Sequence, residues 1–245
     1  MTLPISLADV VLPRPQVQIP LLDALVTGKM EFPSAYKNTL LLHGTFGSGK
    51  TSLARLLPIL IEYSRADNST RGCYNWVYKT SRETVSITPG QGDKPSIEAD
   101  VDFIACLGQR SDARQKAIQS IQTQMLLAGG FGSTYHQYFI FDEVDEWAQS
   151  QSDLKALITN AGARSVFLLT TNYVNRIDPG LRSRSIEIDM NQPEAEDVLA
   201  RVRALTPQLQ RASDDALLDV IRSAKGDWRT LNTQTALILM SLATG

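Results

Sequence analysis

The amino-acid sequence predicts an α/β protein in which a central parallel five-stranded sheet, flanked by helices, is followed by a small all-helical lid domain. Three observations support this prediction. A glycine-rich segment near residue 45 joins an apolar strand to an amphipathic helix, further short apolar runs follow it, and after residue 190 apolar residues recur only at helical spacing. We therefore expect an α/β domain at residues 1–190 and a helical lid at residues 191–245.

The composition narrows the classes of function. The chain has 245 residues, of which 43% are hydrophobic, and a formal net charge of -2, which suits one large domain or a medium domain with a small appendage. Because the charge is nearly balanced, contact with DNA would need a local basic patch, completed in an assembly by other subunits. With 2 cysteines and 2 histidines, the composition argues against a disulfide framework and a zinc site.

Targeting and membrane segments are not expected. Residues 1–9 lack a basic stretch followed by an apolar core, and the sequence has no uncharged apolar run of about 18 residues. We therefore expect a soluble, cytoplasmic protein without a membrane partner.

Prolines divide the chain before residue 39, where one helix is predicted at about residues 19–28. The apolar cluster Val10-Val11-Leu12 could pack on an adenine ring or take part in ordinary packing, and we favour ordinary packing.

The glycine-rich segment matches the phosphate-binding P-loop pattern. Its residues are Gly44, Thr45, Phe46, Gly47, Ser48, Gly49, Lys50, Thr51 and Ser52. Glycines allow the tight backbone curl that points successive N–H groups at phosphate oxygens, and the helix beginning near Thr51 adds its dipole. Lys50 would reach the β- and γ-phosphates of ATP, and the Thr51 hydroxyl would hold Mg²⁺. A chance glycine-rich turn is the alternative, but the flanking strand-like and helix-like runs favour nucleotide binding.

A polar segment rich in turn-forming residues covers about residues 65–100. Two short runs within it, residues 76–78 and 84–87, predict a β-hairpin. We interpret this segment as an insertion on the surface. A second core strand at residues 101–107 and a helix at residues 112–127 are predicted after it.

The strand predicted at residues 138–141 runs directly into two carboxylates, Asp142 and Glu143. Asp142 would hold Mg²⁺, and Glu143 would act as the general base that polarises the attacking water. The alternative is a solvated acidic loop after a strand. The upstream P-loop favours the catalytic interpretation.

The next predicted elements are a helix at residues 152–160 and a strand at residues 166–171, which ends at Asn172. Because parallel strands share one crevice at their carboxyl ends, Asn172 should lie beside Asp142 and the P-loop. It could orient water or sense the γ-phosphate, or it could simply be a turn residue. The position of Asn172 at the carboxyl end of its strand favours the functional interpretation.

Arg182 and Arg184 precede the last predicted strand, residues 186–189. They could form a solvated edge, or one of them could reach a neighbouring subunit's γ-phosphate in an oligomeric ATPase. After a hinge at Asn191-Gln192-Pro193, apolar spacing predicts three lid helices at residues 194–205, 214–223 and 228–243.

Taken together, these motifs resemble those of the AAA+ ATPases, and within them the clamp-loader group of replication factor C and phage clamp-loader small subunits. Asp142-Glu143-Val144-Asp145 is similar to the Asp-Glu-x-Asp box of that group, and Asn172-Tyr173 to its sensor-1 segment. Ser183-Arg184-Ser185 resembles its Ser-Arg-Cys motif, and Gly226-Asp227-Trp228-Arg229 its sensor-2 signature, Gly-Asp-x-Arg. The likeness covers roughly residues 8–242.

The resemblance implies an ATPase that assembles into a ring or spiral with copies of itself or with related AAA+ subunits. The roles it carries over are MgATP binding and hydrolysis by Lys50, Thr51, Asp142 and Glu143, sensor 1 for Asn172, sensor 2 for Arg229, and a trans-acting arginine finger for Arg184, with Arg182 as second candidate. The sequence ends soon after the lid, so we expect this chain to lack the collar helices with which clamp loaders assemble.

Three functions are compatible with these motifs. The first is a clamp-loader-like ATPase that acts on DNA in replication or transposition, with Arg110, Arg114 and Lys116 as DNA contacts or, alternatively, as a solvated helix face. The second is a protein-remodelling or regulatory AAA+ ATPase that grips a partner protein, for which Tyr135 is a candidate pore-loop residue. The third, a nucleotide-dependent switch with negligible turnover, is disfavoured by the carboxylate of Glu143.

Overall fold

The computed structural model describes residues 3–34, 36–88, 92–105, 111–127 and 135–244. The predicted DNA contact Arg110 and the last two residues of the strand predicted at residues 101–107 lie outside the described residues. The strands are β1 (Thr39–His43), β2 (Asn75–Lys79), β3 (Thr84–Ser86), β4 (Ser96–Glu98), β5 (Asp100–Ala105), β6 (Gln137–Asp142), β7 (Ser165–Thr171) and β8 (Ser185–Asp189). The α-helices are α1 (Pro15–Thr27), α2 (Lys50–Arg65), α3 (Asn68–Cys73), α4 (Ser111–Leu127), α5 (Gln151–Thr159), α6 (Pro179–Arg184), α7 (Ala195–Leu205), α8 (Asp214–Ala224) and α9 (Trp228–Thr244).

Five strands form the central sheet in the order β5-β6-β7-β1-β8. Every neighbouring pair in it is parallel. Parallel pairing requires crossover connections, which helices α2, α4, α5 and α6 supply between successive strands of this sheet. The predicted α/β class with a five-stranded parallel sheet flanked by helices is therefore confirmed.

Both faces of the sheet are covered, because side chains alternate between them along each strand. On one face Leu40 and Leu42 pack in a core that includes residues of α1 and α2. On the other face Leu41 joins a second core with residues of α4 and α5. Because side chains on both faces of the sheet are buried, the strands are continuous apolar runs in the sequence.

The segment predicted to be a surface insertion forms a second sheet of three strands in the order β3-β2-β4. The predicted hairpin is confirmed, since β2 pairs antiparallel with β3. The segment is more than a surface addition, however. Trp76 and Tyr78 on β2 are buried in the core beneath α2, because alternate residues of a strand point to the same side.

The three predicted lid helices are observed as α7, α8 and α9, and they enclose an apolar core of their own that includes Val202, Leu217 and Leu231. The segment before α1 spans both cores. Leu12 is fully buried in the core of the sheet, as ordinary packing predicts, whereas Val11 packs against the lid core. Where the boundary between the two domains falls stays a prediction.

Helix α1 begins four residues earlier than predicted, at Pro15, because proline fits the first position of a helix. Among the described residues, no helix has the length and apolar content needed to cross a membrane.

Candidate phosphate-binding site at the carboxyl end of the sheet

The P-loop lies between the end of β1 at His43 and the start of α2 at Lys50. Close packing explains two of its glycines. A Cβ at Gly44 would collide with the backbone of Met190, and a Cβ at Gly47, which has a φ of 70°, would collide with the side chain of Asp227. The first amides of α2 have no acceptor within the helix, so they and the helix dipole are available to an anion. The close packing of the loop thus requires glycine at these two positions.

Lys50, the first residue of α2, is only 7% exposed. Its Nζ donates hydrogen bonds to the carbonyl oxygens of Gly44 (3.0 Å) and Thr45 (2.7 Å). Burial lowers the pKa of Lys50 to about 8, against the opposing effect of the nearby Asp142 carboxylate. A poorly solvated ammonium group attracts an anion more strongly than a solvated one.

Thr51 and Asp142 meet although they are far apart in sequence. The Thr51 hydroxyl donates to Asp142 Oδ1 over 2.9 Å. Hydroxyl and carboxylate oxygens are the ligands that Mg²⁺ prefers, so the pair fits this ion. Within the described ranges, no group of three or more His, Cys, Asp or Glu side chains could hold a metal.

Glu143 follows Asp142 and adopts left-handed backbone angles, φ 61° and ψ 53°. Its amide donates to the Thr170 hydroxyl over 3.0 Å. Burial raises the pKa of Glu143, and the negative charges of Asp142 and Asp145 raise it further. A raised pKa makes this carboxylate a stronger base than an ordinary glutamate.

Asn172 lies at the same edge of the sheet, because β7 is the strand between β1 and β6. Asp145, which is buried, holds the end of β7. Its Oδ1 accepts a hydrogen bond from the Thr171 hydroxyl (2.6 Å) and another from the Asn172 amide (3.3 Å). The predicted proximity of Asn172 to Asp142 and the P-loop follows from this strand order.

The lid contacts the P-loop directly. The Trp228 amide donates to the Gly47 carbonyl over 3.0 Å. Arg229 follows, exposed to solvent, and its positive charge contributes to lowering the pKa of Lys50. A small recess beside this contact is lined by residues of the hinge and the lid: Gln192, Pro193, Val198, Ile221, Ala224, Gly226, Asp227, Trp228 and Leu231.

Arg182 and Arg184 lie at the opposite end of the sheet. Ser185 pairs with Thr39 at the start of β1, whereas the P-loop follows its end. Arg182 forms a two-bond ion pair with Glu187, through Nε (2.9 Å) and Nη2 (3.1 Å). Arg184 Nη1 donates a hydrogen bond to the Gly180 carbonyl over 3.0 Å. Neither arginine lies beside this chain's own P-loop.

No protein-family model matches the chain, and no curated protein sequence matches it. Among solved structures, the chain is similar to a DNA polymerase III gamma subunit-related protein from Thermotoga maritima, with 13% sequence identity and a TM-score of 0.45. The match covers 86% of this chain and 59% of that chain, so this chain spans less than two thirds of that protein's length. At this identity and TM-score the likeness carries no conclusion about activity.

Two side chains at the site, those of Thr170 and Thr171, were not predicted from the sequence as functional residues. Thr170 contacts Asp142 and the Glu143 amide. Thr171 donates to Asp145, which the sequence analysis named as part of the Asp-Glu-x-Asp box without assigning it a role. Two threonines at the end of an otherwise apolar buried strand are the one indication that the sequence offered.

The residues predicted to contact DNA or a partner protein differ in their surroundings. Arg114 leans on the ring of Trp147, 6.0 Å from its centroid, whereas Lys116 is exposed. Tyr135 is 67% exposed, and the Arg164 guanidinium lies 5.0 Å from its ring centroid.

Proposed function

We propose that this chain is an AAA+ ATPase that binds MgATP and hydrolyses it to ADP and phosphate. The observation that carries the proposal is the meeting of the P-loop with the end of β6, where the Thr51 hydroxyl bonds Asp142 and Glu143 follows. The residues to which we assign phosphate binding, metal binding and the base therefore lie at one edge of one sheet.

Each residue has a definite task in this proposal. Lys50 and the first amides of α2 bind the phosphates, while Thr51 and Asp142 hold Mg²⁺, which neutralises phosphate charge when bound. Glu143 accepts a proton from the attacking water, and its raised pKa suits a base. Asn172 orients that water as sensor 1.

The lid contributes from the same chain. Arg229 serves as sensor 2, with its positive charge close enough to affect the pKa of Lys50.

In this proposal a neighbouring subunit supplies one further cation, an arginine that contacts the γ-phosphate. We propose that Arg184 acts in trans on a neighbour's γ-phosphate, within a ring or spiral of copies of this chain or of related AAA+ subunits. Its distance from its own P-loop, the length of β8, supports a role on another subunit. Arg182 is the weaker candidate, since its guanidinium is already paired with Glu187.

DNA is the client we propose, in replication or transposition, on the resemblance of the Ser-Arg-Ser and Gly-Asp-x-Arg motifs to the clamp-loader group. Lys116 on α4 is an exposed cation that could contact phosphate. The alternative is a protein-remodelling or regulatory ATPase that acts on a partner protein, and the exposed ring of Tyr135 is the observation that favours it.

The test is ATP hydrolysis measured against protein concentration, with and without primed and duplex DNA, while light scattering reports mass. Cooperative turnover that rises with DNA and follows a larger mass supports the proposal. Turnover that is indifferent to DNA favours protein remodelling. If Lys50→Ala protein hydrolyses ATP as fast as wild type, the proposed site is wrong.

A further inference from the structure

Two consecutive residues at the candidate site, Asp142 and Glu143, are joined by a single hydroxyl from the neighbouring strand. Thr170 Oγ1 lies 2.6 Å from Asp142 Oδ1 and 3.0 Å from the Glu143 amide nitrogen. An ionised carboxylate can only accept, so Thr170 donates its proton to Asp142 and accepts from the Glu143 N–H. The donor and the acceptor of both hydrogen bonds are therefore known.

The hydroxyl is held rigidly. Thr170 is 1% exposed and is the last residue but one of β7, a strand that is buried along its whole length. A β-branched side chain has few rotamers in such a strand, so its oxygen has little freedom to move. Asp142 Oδ1 also accepts from Thr51, which ties the P-loop helix to the same oxygen.

The residue that Thr170 holds has an uncommon backbone conformation. Glu143 is one of three described non-glycine residues with positive φ. A left-handed conformation costs an ordinary residue about 1–2 kcal/mol and persists only where its surroundings impose it. The hydrogen bond from the Glu143 amide to Thr170 is a contact that imposes it here.

From this geometry we infer that Thr170 is a positioning residue, whose hydroxyl sets the direction of the Glu143 carboxylate relative to the metal ligand Asp142. The inference rests on the proposed ATPase function and adds a residue to it. Thr170 does not touch the reacting atoms. It acts by fixing the backbone from which Glu143 projects.

Removing this hydroxyl should affect the chemical step more than binding. Thr170→Val keeps the shape of the side chain but leaves the Glu143 amide without its acceptor, so we expect kcat to fall by about 10- to 100-fold. The KM for ATP and the affinity for a non-hydrolysable ATP analogue should change less than about twofold. Thr170→Ser, which restores the oxygen, should recover most of kcat.

Thr39→Val is the matched control. Thr39 is also a fully buried threonine on a parallel strand, but it lies at the other end of β1 from the P-loop, and its hydroxyl donates to the side chain of Asn38. This variant should keep the wild-type kcat. Thermal unfolding of each variant shows whether it folds, and Thr170→Ala is the second variant if Thr170→Val does not.

The results separate the inference from the function on which it rests. If wild type turns over ATP and Lys50→Ala does not, but Thr170→Val equals wild type, only the role of Thr170 is overturned. If excess Mg²⁺ fully restores Thr170→Val, the hydroxyl acts on Asp142 rather than on Glu143, and the inference is also wrong. If neither Thr170→Val nor Thr170→Ala folds, the residue is structural. If wild type and Lys50→Ala show equal turnover, the proposed function itself fails.

Discussion

The buried lysine of the P-loop should reduce the stability of the free protein, and Lys50→Met tests this. Burial lowers the pKa of Lys50 from 10.5 to about 8. That difference corresponds to about 3 kcal/mol by which the folded protein disfavours the charged ammonium at neutral pH. Methionine has a similar length and no charge, so it removes this cost while still filling the space.

The substitution also removes hydrogen bonds. Lys50 donates to the carbonyls of Gly44 and Thr45, and losing two such bonds costs about 2 kcal/mol. The net expectation at pH 7 is a variant about 1 kcal/mol more stable than wild type, with a melting temperature about 2–4 °C higher. ATP should no longer raise that temperature, because the phosphate-binding cation is gone.

The pH dependence gives a second test. Between pH 8 and 10.5 the unfolded chain still binds the lysine proton whereas the folded chain has lost it, so wild type gains stability as pH rises. Below pH 8 the full free-energy cost of burying the charged ammonium group is present. Lys50→Met lacks this gain, and by about pH 10 it should be the less stable protein by about 1 kcal/mol.

The assay is thermal or denaturant unfolding of both proteins at pH 7 and pH 10 without nucleotide. Other titrating groups act equally in the two proteins and cancel in the difference. A Lys50→Met protein that is less stable than wild type at pH 7, or a difference that does not change with pH, would refute the reasoning.

Three other predictions concern the base, the assembly and the core. Glu143→Gln should keep ATP binding and stop hydrolysis, measured by analogue binding and phosphate release; normal turnover would remove Glu143 as the base. Arg184→Ala should lose turnover only in the assembly, and mixing it with Lys50→Ala protein should restore part of it; no recovery at any mixing ratio would count against the trans finger. Glu62 is 7% exposed and accepts hydrogen bonds from the His136 ring and the Tyr138 hydroxyl. Hydrogen bonds lower its pKa against the effect of burial, so its contribution to stability is lost as pH falls through that lowered value. Glu62→Gln should therefore lower the free energy of unfolding at pH 7 by about 2 kcal/mol. Below pH 4.5 its stability should fall less steeply than that of wild type, as acid unfolding would measure. Equal stability of the two proteins at pH 7 would show that the charge of Glu62 is dispensable.

Local patterns predicted most of the secondary structure. The five core strands and the three lid helices were each found close to the predicted residues, since alternation and helical spacing are properties of a few neighbouring residues. The glycine-rich turn and its lysine were recognisable for the same reason. Their roles in catalysis stay predictions.

Contacts between distant residues could not be predicted in this way. Trp76 and Tyr78 appeared to belong to a polar surface segment, yet β2 turns both into the core beneath α2. The contact between Trp228 and Gly47 joins the lid to the P-loop across about 180 residues of sequence, as their numbers show. Such pairs have no local pattern, because they depend on how whole elements pack.

The sequence by itself determined that a P-loop, two adjacent carboxylates and a strand-end asparagine occur in this chain, because each is a short run with its own chemistry. Only the tertiary structure decided which of them share a site. The position of β7 between β1 and β6 brings Thr170 to Asp142 and Glu143, and the direction of β8 carries Arg184 to the opposite end. Strand order is a global property of packing, and it is strand order that assembled the site.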